Sequence, residues 1–226
     1  MARPIKFTDQ NKEWYFRRNH CRERLFETRE ERQRILIVCE GTETEPNYFK
    51  SIRSELPPNV VDVEITGTGN NTKSLLERSI NIKEKLETNN HPFDQVWIVF
   101  DFDSFPAHNF DNTIKSAIAR GVKCAWSNEA FEIWYILHFE YRNTGMRRTE
   151  YKEKLTVLLG EDYLKNDQNM YYKLKQNGDQ NKAASWAKML LKDFTERKVS
   201  HSQSNPCTTV FLLVQELNRF KVISDD

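Results

Sequence analysis

The sequence predicts an α/β fold: a mainly parallel sheet flanked by helices, with a helical C-terminal part packed on it. Three observations carry this expectation. Two apolar runs, residues 35–39 and 96–100, proceed without alternation, as strands buried on both faces of a parallel sheet do. Strand and helix patterns alternate β-α-β-α-β-α-β over the first 126 residues. From residue 127 onward the apolar spacing is mostly that of amphipathic helices. The expected organisation is a basic N-terminal arm (1–34), an α/β core (35–126), and a helical part of the same globular unit (127–226).

Strand one ends at Glu40-Gly41. Thr42 and Glu45 are spaced as a capping box, with Pro46 tolerated in the first turn. Phe49, Ile52 and Leu56 give that helix its apolar stripe, and Pro57-Pro58 stops it. Residues 60–66 alternate weakly and read as a second strand. Gly67-Thr68-Gly69-Asn70-Asn71 lacks the third glycine and the lysine of a phosphate-binding turn, so turn chemistry explains it better. A helix over 72–86 and a turn at 89–92 lead into strand three, which delivers Asp101 and Asp103. Ser104-Phe105-Pro106 breaks it, a helix over 110–120 ends at Gly121, and residues 122–126 form strand four.

Ser127 and Asn128 are good caps for a helix carrying Glu129, Glu132, Trp134 and His138. His138 lies on the apolar side of that helix, where a histidine is more often packed core than ligand. Residues 142–182 are polar, with a helical signal near 152–159 and a basic, aromatic stretch around Lys173 and Lys175. A helix over 183–194 is striped by Trp186, Leu190 and Phe194. Residues 204–209 cap the last helix, striped by Val210, Leu213, Leu217 and Phe220.

Of the 226 residues, 30% are charged and 38% apolar. No apolar run approaches the roughly 20 residues of a membrane helix, and the first residues lack the apolar core of a signal peptide. The four cysteines form no CxxC pair, so zinc-ligand spacing is absent and a reduced, cytoplasmic setting is expected. The net charge of +1 is unevenly spread. Residues 1–34 hold ten Lys or Arg against six Asp or Glu, or +4, and set Trp14, Tyr15 and Phe16 beside Arg17 and Arg18. Basic residues among aromatics can track a phosphate backbone and stack bases, although a solvated leader is the commoner meaning of such an arm.

The chemistry concentrates at strand ends. Side chains two apart on an extended segment point the same way, so Asp101 and Asp103 can converge, with Glu40 reaching them from a neighbouring strand. Carboxylates gathered at the carboxyl edge of such a sheet sit where open α/β folds bind ligands, and they repel unless a cation neutralises them. Hard oxygen ligands suit Mg²⁺ or Mn²⁺. The competing explanation is solubilising acids at loop starts.

The Glu-Gly after strand one and the Asp-x-Asp after strand three resemble the catalytic pattern of Toprim domains. A longer set of motifs resembles the RloB family: residues 39–49, Phe100-Asp101-Phe102-Asp103, residues 127–140 from Ser-Asn to the His138 segment, and Asn205-Pro206-Cys207-Thr208-Thr209. The similarity spans about residues 32–220 and departs at Glu129, where the family pattern places proline after Ser-Asn. It implies a bacterial defence protein with a Toprim-like core, often encoded beside restriction or ATPase partners.

On that resemblance Glu40, Asp101 and Asp103 are the expected catalytic residues, with Glu132 joining them as a metal ligand and Glu129 a further candidate. Lys173, Lys182, Asn205, Arg17 and Arg18 are the expected substrate contacts. The expected activity is divalent-metal-dependent phosphodiester hydrolysis of DNA or RNA. The alternative is a non-cleaving sensor or adaptor that binds nucleotide or metal and signals to a partner ATPase. DNA versus RNA, and a homo-oligomer, are left open by the sequence.

Overall fold

The computed structural model describes residues 33–58, 61–67, 72–88, 92–102 and 106–221. These pack as one unit around a five-stranded sheet. In chain order the strands are β1 (Gln33–Cys39), β2 (Val61–Gly67), β3 (Gln95–Asp101), β4 (Lys123–Asn128) and β5 (Cys207–Thr208). The helices are α1 (Thr44–Ser54), α2 (Thr72–Thr88), α3 (Ala107–Ala119), α4 (Glu132–Ile136), α5 (Arg148–Leu159), α6 (Met170–Asn177), α7 (Gln180–Glu196) and α8 (Val210–Asn218).

The sheet order is β2-β1-β3-β4-β5, parallel except for β5, which pairs antiparallel with β4. The unbroken apolar runs have the predicted cause. Alternate residues of one strand face opposite layers. Ile35, Ile37 and Cys39 pack with Trp97, Val99 and Ala125 against a layer that includes α1 and α4–α8. Leu36 and Val38 pack with Val96, Ile98, Phe100 and Trp126 against α2 and α3. Both faces are covered, so residues 35–39 of β1 and 96–100 of β3 are apolar without a break.

The sheet extends further than its sequence signal. Residues 127 and 128 do not cap a helix; they end β4. The Ser127 and Thr208 hydroxyls are 3.0 Å apart, and the Asn128 amide donates to the carbonyls of His201 and Ser202 at 3.0 and 2.9 Å. Residues 207–208, expected within a cap, form β5. Thr208 Oγ1 does accept from the Val210 N–H at the start of α8, at 3.2 Å. The Thr42–Glu45 capping box is likewise absent: α1 begins at Thr44 behind Glu43, with no side-chain cap. α6, whose Tyr171 and Leu174 are buried, was not anticipated as a helix.

His138 is core, as expected. It is 3% exposed and packs edge-on against Trp134, with ring centroids 4.8 Å apart. No helix among the described residues is long and apolar enough to cross a membrane.

Candidate functional site

The parallel register aligns the carboxyl ends of β1, β3 and β4. Cys39 pairs with Val99, and Asp101 with Ser127. The Glu40 N–H then donates to Val99 O at 2.8 Å, and the Glu40 carboxylate accepts from the Asp101 N–H at 3.2 Å. Glu40 and Asp101 therefore meet at one edge. Asp103, expected beside them, lies outside the described residues, as do Arg17 and Arg18.

Two further carboxylates join Asp101. Glu132 opens α4 and is 4% exposed; Glu45, in the first turn of α1, is 6% exposed. Burial, then the charges of Glu45 and Glu132, hold the Asp101 carboxyl well above the usual carboxylate range, against the pull of Arg148 and the Phe131 N–H. Burial also raises Glu45. The N–H of Glu45 itself opposes that rise, the charge of Glu132 adds to it, and the Gly41 N–H and Lys165 pull back.

Sequence reasoning missed Glu45 because its spacing from Thr42 imitates a capping box. The available signal was the glycine at 41. A Cβ there would collide with Glu45 Oε2, so Gly41 makes room for that carboxylate to fold back on the strand end. A second glycine closes the same corner: a Cβ on Gly67 would lie 2.7 Å from Gly41 O.

The cluster is partly satisfied by its surroundings. Tyr163 Oη donates to Glu132 Oε1 at 3.1 Å, and Lys165 Nζ lies 3.6 Å from the same oxygen. Asp101 Oδ1 is buried and, among the described residues, has no hydrogen-bond partner. Buried polar atoms are seldom left so, and each such exception calls for a physical reason. Beside the cluster a recess of about 240 Å³ is walled by Glu132 and carries Arg148, Lys152 and Lys165.

The other expected contacts lie elsewhere. Lys173 ion-pairs with Glu161 and with Asp167, the latter at 2.7 Å. Lys182 sits 3.6 Å from Asp179 at the start of α7. Asn205 does not begin the last helix; it precedes β5. Its amide donates to Glu129 Oε1 and Met146 O, both at 3.3 Å. Glu129 also accepts from the Arg148 N–H at 3.2 Å, so Asn205 and Glu129 brace the segment entering α5.

Glu40, Asp101, Glu45 and Glu132 thus stand at one sheet edge, joined through bonds and charge. The RloB-like protein family model matches residues 35–217, most of the chain and all of this site. The chain belongs to the RloB-like family. No curated protein and no solved structure matches it. The matched span covers the RloB-like motifs at residues 39–49, 127–140 and 205–209, and the first two supply Glu40, Glu45 and Glu132 to the surroundings of Asp101.

Whether these residues fit a divalent cation turns on their donors. All are carboxylate oxygens, the hard ligands that Mg²⁺ and Mn²⁺ prefer, and Asp101 Oδ1 has no partner among the described residues. Among the described residues no three His, Cys, Asp or Glu groups are disposed to enclose a metal ion. The fit is one of chemistry and of an unpartnered oxygen.

Proposed function

We propose that this RloB-like protein is a divalent-cation-dependent phosphodiesterase with a Toprim-like core, acting on DNA or RNA in bacterial anti-phage defence or abortive infection within the cytoplasm. The observation that carries the reading is Asp101: a buried carboxylate with one unpartnered oxygen, beside two more carboxylates, at the carboxyl edge of a parallel sheet.

Asp101, with Asp103, would hold Mg²⁺ or Mn²⁺, and Glu132 stands close enough in charge to complete the set. When bound, the cation supplies charge neutralisation at the phosphodiester and its leaving oxygen. The chain's own groups do the rest. Glu40 grips the Asp101 N–H through one carboxylate oxygen, which orients the Asp101 backbone. A carboxylate at this position is a group that can take a proton from attacking water. Arg148 and Lys165 bring positive charge to the recess, where a scissile phosphate needs it. Tyr163 holds Glu132 in place through its hydroxyl.

A second reading is favoured by one observation: Glu132 and Glu40 are already engaged by protein donors. On it the protein is a non-cleaving sensor or adaptor that binds nucleotide or metal and signals to a partner ATPase.

The deciding experiment combines calorimetric titration of Mn²⁺ and Mg²⁺ with cleavage of plasmid, single-stranded DNA and transfer RNA. Wild type should bind the cation, gain thermal stability from it and cleave. Asp101→Asn should fold, lose the metal-dependent stabilisation and lose cleavage. Without metal the variant should equal or exceed wild type in stability, because a buried charge is gone. Full cleavage by both Asp101→Asn and Glu40→Gln would remove these residues from the chemistry. No cleavage by wild type in either metal, with signalling lost in the variant, would select the adaptor.

A further inference from the structure

The segment between α5 and α6 is pinned beside the acidic cluster by its backbone, while one of its side chains stays loose. Tyr163 is buried and donates its hydroxyl to Glu132 Oε1 at 3.1 Å. Two residues on, the Lys165 carbonyl accepts from Thr44 Oγ1 at 3.1 Å, at the first residue of α1 and next to Glu45. Asp167 then accepts from the Asn169 N–H at 2.8 Å and pairs with Lys173. The Lys165 backbone is thus held against the cluster, yet its side chain is 59% exposed.

The Lys165 ammonium reaches back over the carboxylates. Nζ lies 3.6 Å from Glu132 Oε1, and the Glu132 side chain is only 5% exposed. Lys192 and Glu196 on α7 have the same separation, but their side chains are 74% and 66% exposed. Water screens a pair of that kind until it is worth little. The Glu132 carboxylate is out of water, so losing its cation leaves a buried charge poorly compensated. The Lys165 charge also acts on Glu45, where it opposes the rise caused by burial and by Glu132. One exposed cation therefore serves two buried acids on two different helices. At 3.6 Å the contact is longer than the roughly 2.7–2.9 Å of a charge-assisted hydrogen bond, so charge alone holds it and another cation can take its place.

We propose that Lys165 is the resident counter-ion of the acidic cluster, and that a divalent cation binds there in competition with it. An ammonium and a divalent cation beside one carboxylate repel each other, so each weakens the other's hold. Lys165 thereby sets how much free cation the site requires. Once the carboxylates are given over to the cation, the pinned backbone keeps the ammonium at the recess with Arg148 and Lys152, where a phosphate can use it. Resting on the metal-dependent reading, this makes Lys165 a positioning residue that acts through Glu132 and Glu45.

The test compares full-length wild type, Lys165→Met and Lys165→Arg at pH 7, first with metal chelated and then in a Mn²⁺ titration. Chelated Lys165→Met should melt about 2–4 °C below wild type, the shift that one lost ion pair produces in a chain of this size. By calorimetry it should bind Mn²⁺ about tenfold more tightly than wild type, and saturating Mn²⁺ should restore most of the lost melting temperature. Lys165→Arg keeps the charge and should stay close to wild type in both measurements. A lysine with a merely structural role would lower the melting temperature without tightening Mn²⁺ binding.

Mn²⁺ binding that is unchanged, weaker or absent in Lys165→Met would overturn the assignment, as would an unchanged melting temperature in chelator or the same changes in Lys165→Arg. The two readings fail separately. Tighter Mn²⁺ binding by Lys165→Met, with no cleavage of any strand by wild type, keeps the counter-ion and removes the phosphodiesterase. Metal-dependent cleavage by wild type, with equal Mn²⁺ affinity in the two proteins, does the reverse.

Discussion

Acid should destabilise this protein through one buried imidazole. His138 Nδ1 lies 2.8 Å from Trp134 O, and a carbonyl can only accept, so Nδ1 carries the proton and the folded chain holds the ring neutral. Burial pulls the pKa of His138 down from 6.5 to about 4, against the Trp134 carbonyl and the Asp179 charge, which both favour protonation. Because the folded value is depressed, the unfolded chain takes up the proton first. Its contribution is therefore whole above pH 6.5 and is lost as pH falls toward 4. The gap between those values, at 1.36 kcal/mol per unit, comes to roughly 3 kcal/mol.

Asp101 and Glu45 act in the opposite sense. Their carboxyls are raised, so the folded chain binds those protons first and gains stability as pH falls through their folded values. The wild-type curve mixes both effects, and a variant separates them. His138→Asn keeps an N–H donor near the position of Nδ1 and cannot titrate. Urea unfolding of both proteins from pH 7 to pH 4 should show the wild-type advantage shrinking by about 3 kcal/mol. The lost ring packing of the variant adds a constant offset that leaves this slope alone. A difference that stays flat with pH would show that His138 is not held neutral.

Two other substitutions bear on the site and its support. Gly41→Ala should keep the fold, since Glu45 can rotate away for about 0.5–1.5 kcal/mol. By displacing that carboxylate it should lower metal-dependent cleavage on the order of tenfold to a hundredfold; unchanged cleavage would show that the position of Glu45 does not matter to the reaction. Glu55 accepts from Tyr171 Oη at 2.8 Å and from Lys175 and Lys221 at 2.9 Å each. Partial burial pushes its carboxyl up, but those bonds hold it down to about 2, so its contribution is present above pH 4.5 and lost as pH falls through 2. Glu55→Gln should cost roughly 1–2 kcal/mol at pH 7 after solvent screening, read from the denaturant midpoint.

β1 and β3 were legible because burial on both faces leaves no position for a polar residue, and five apolar residues in a row have few other meanings. The alternation of strand and helix followed from them, and the β1 and β3 ends located Glu40 and Asp101. What stayed hidden was settled by contacts between distant segments. Ser127 and Asn128 are good caps in isolation, yet their partners, Thr208, His201 and Ser202, lie more than seventy residues away. β5 has two residues and therefore no periodicity to detect. Glu45 showed two compatible patterns, a cap and a buried acid, and local spacing favours the cap. Lys173 read as a phosphate contact because sequence gives charge but not neighbours; Glu161 and Asp167 claim it.

The antiparallel strand β5 also has a bearing on the order in which the protein is made. The four parallel strands and Asp101 are complete once residue 128 has been synthesised, but their edge is not. The Asn128 amide waits for His201 and Ser202, the Ser127 hydroxyl for Thr208, and Glu129 for Asn205. Arg148, Tyr151 and Lys165, which wall the recess, also emerge after the carboxylates they face. Pairings of such long sequence separation form late, because the intervening chain must be ordered first. A nascent chain therefore carries its acidic cluster from the emergence of Glu132 until that of His201 before the segment that braces the end of β4 arrives, and a product cut short before residue 201 holds the carboxylates without that brace.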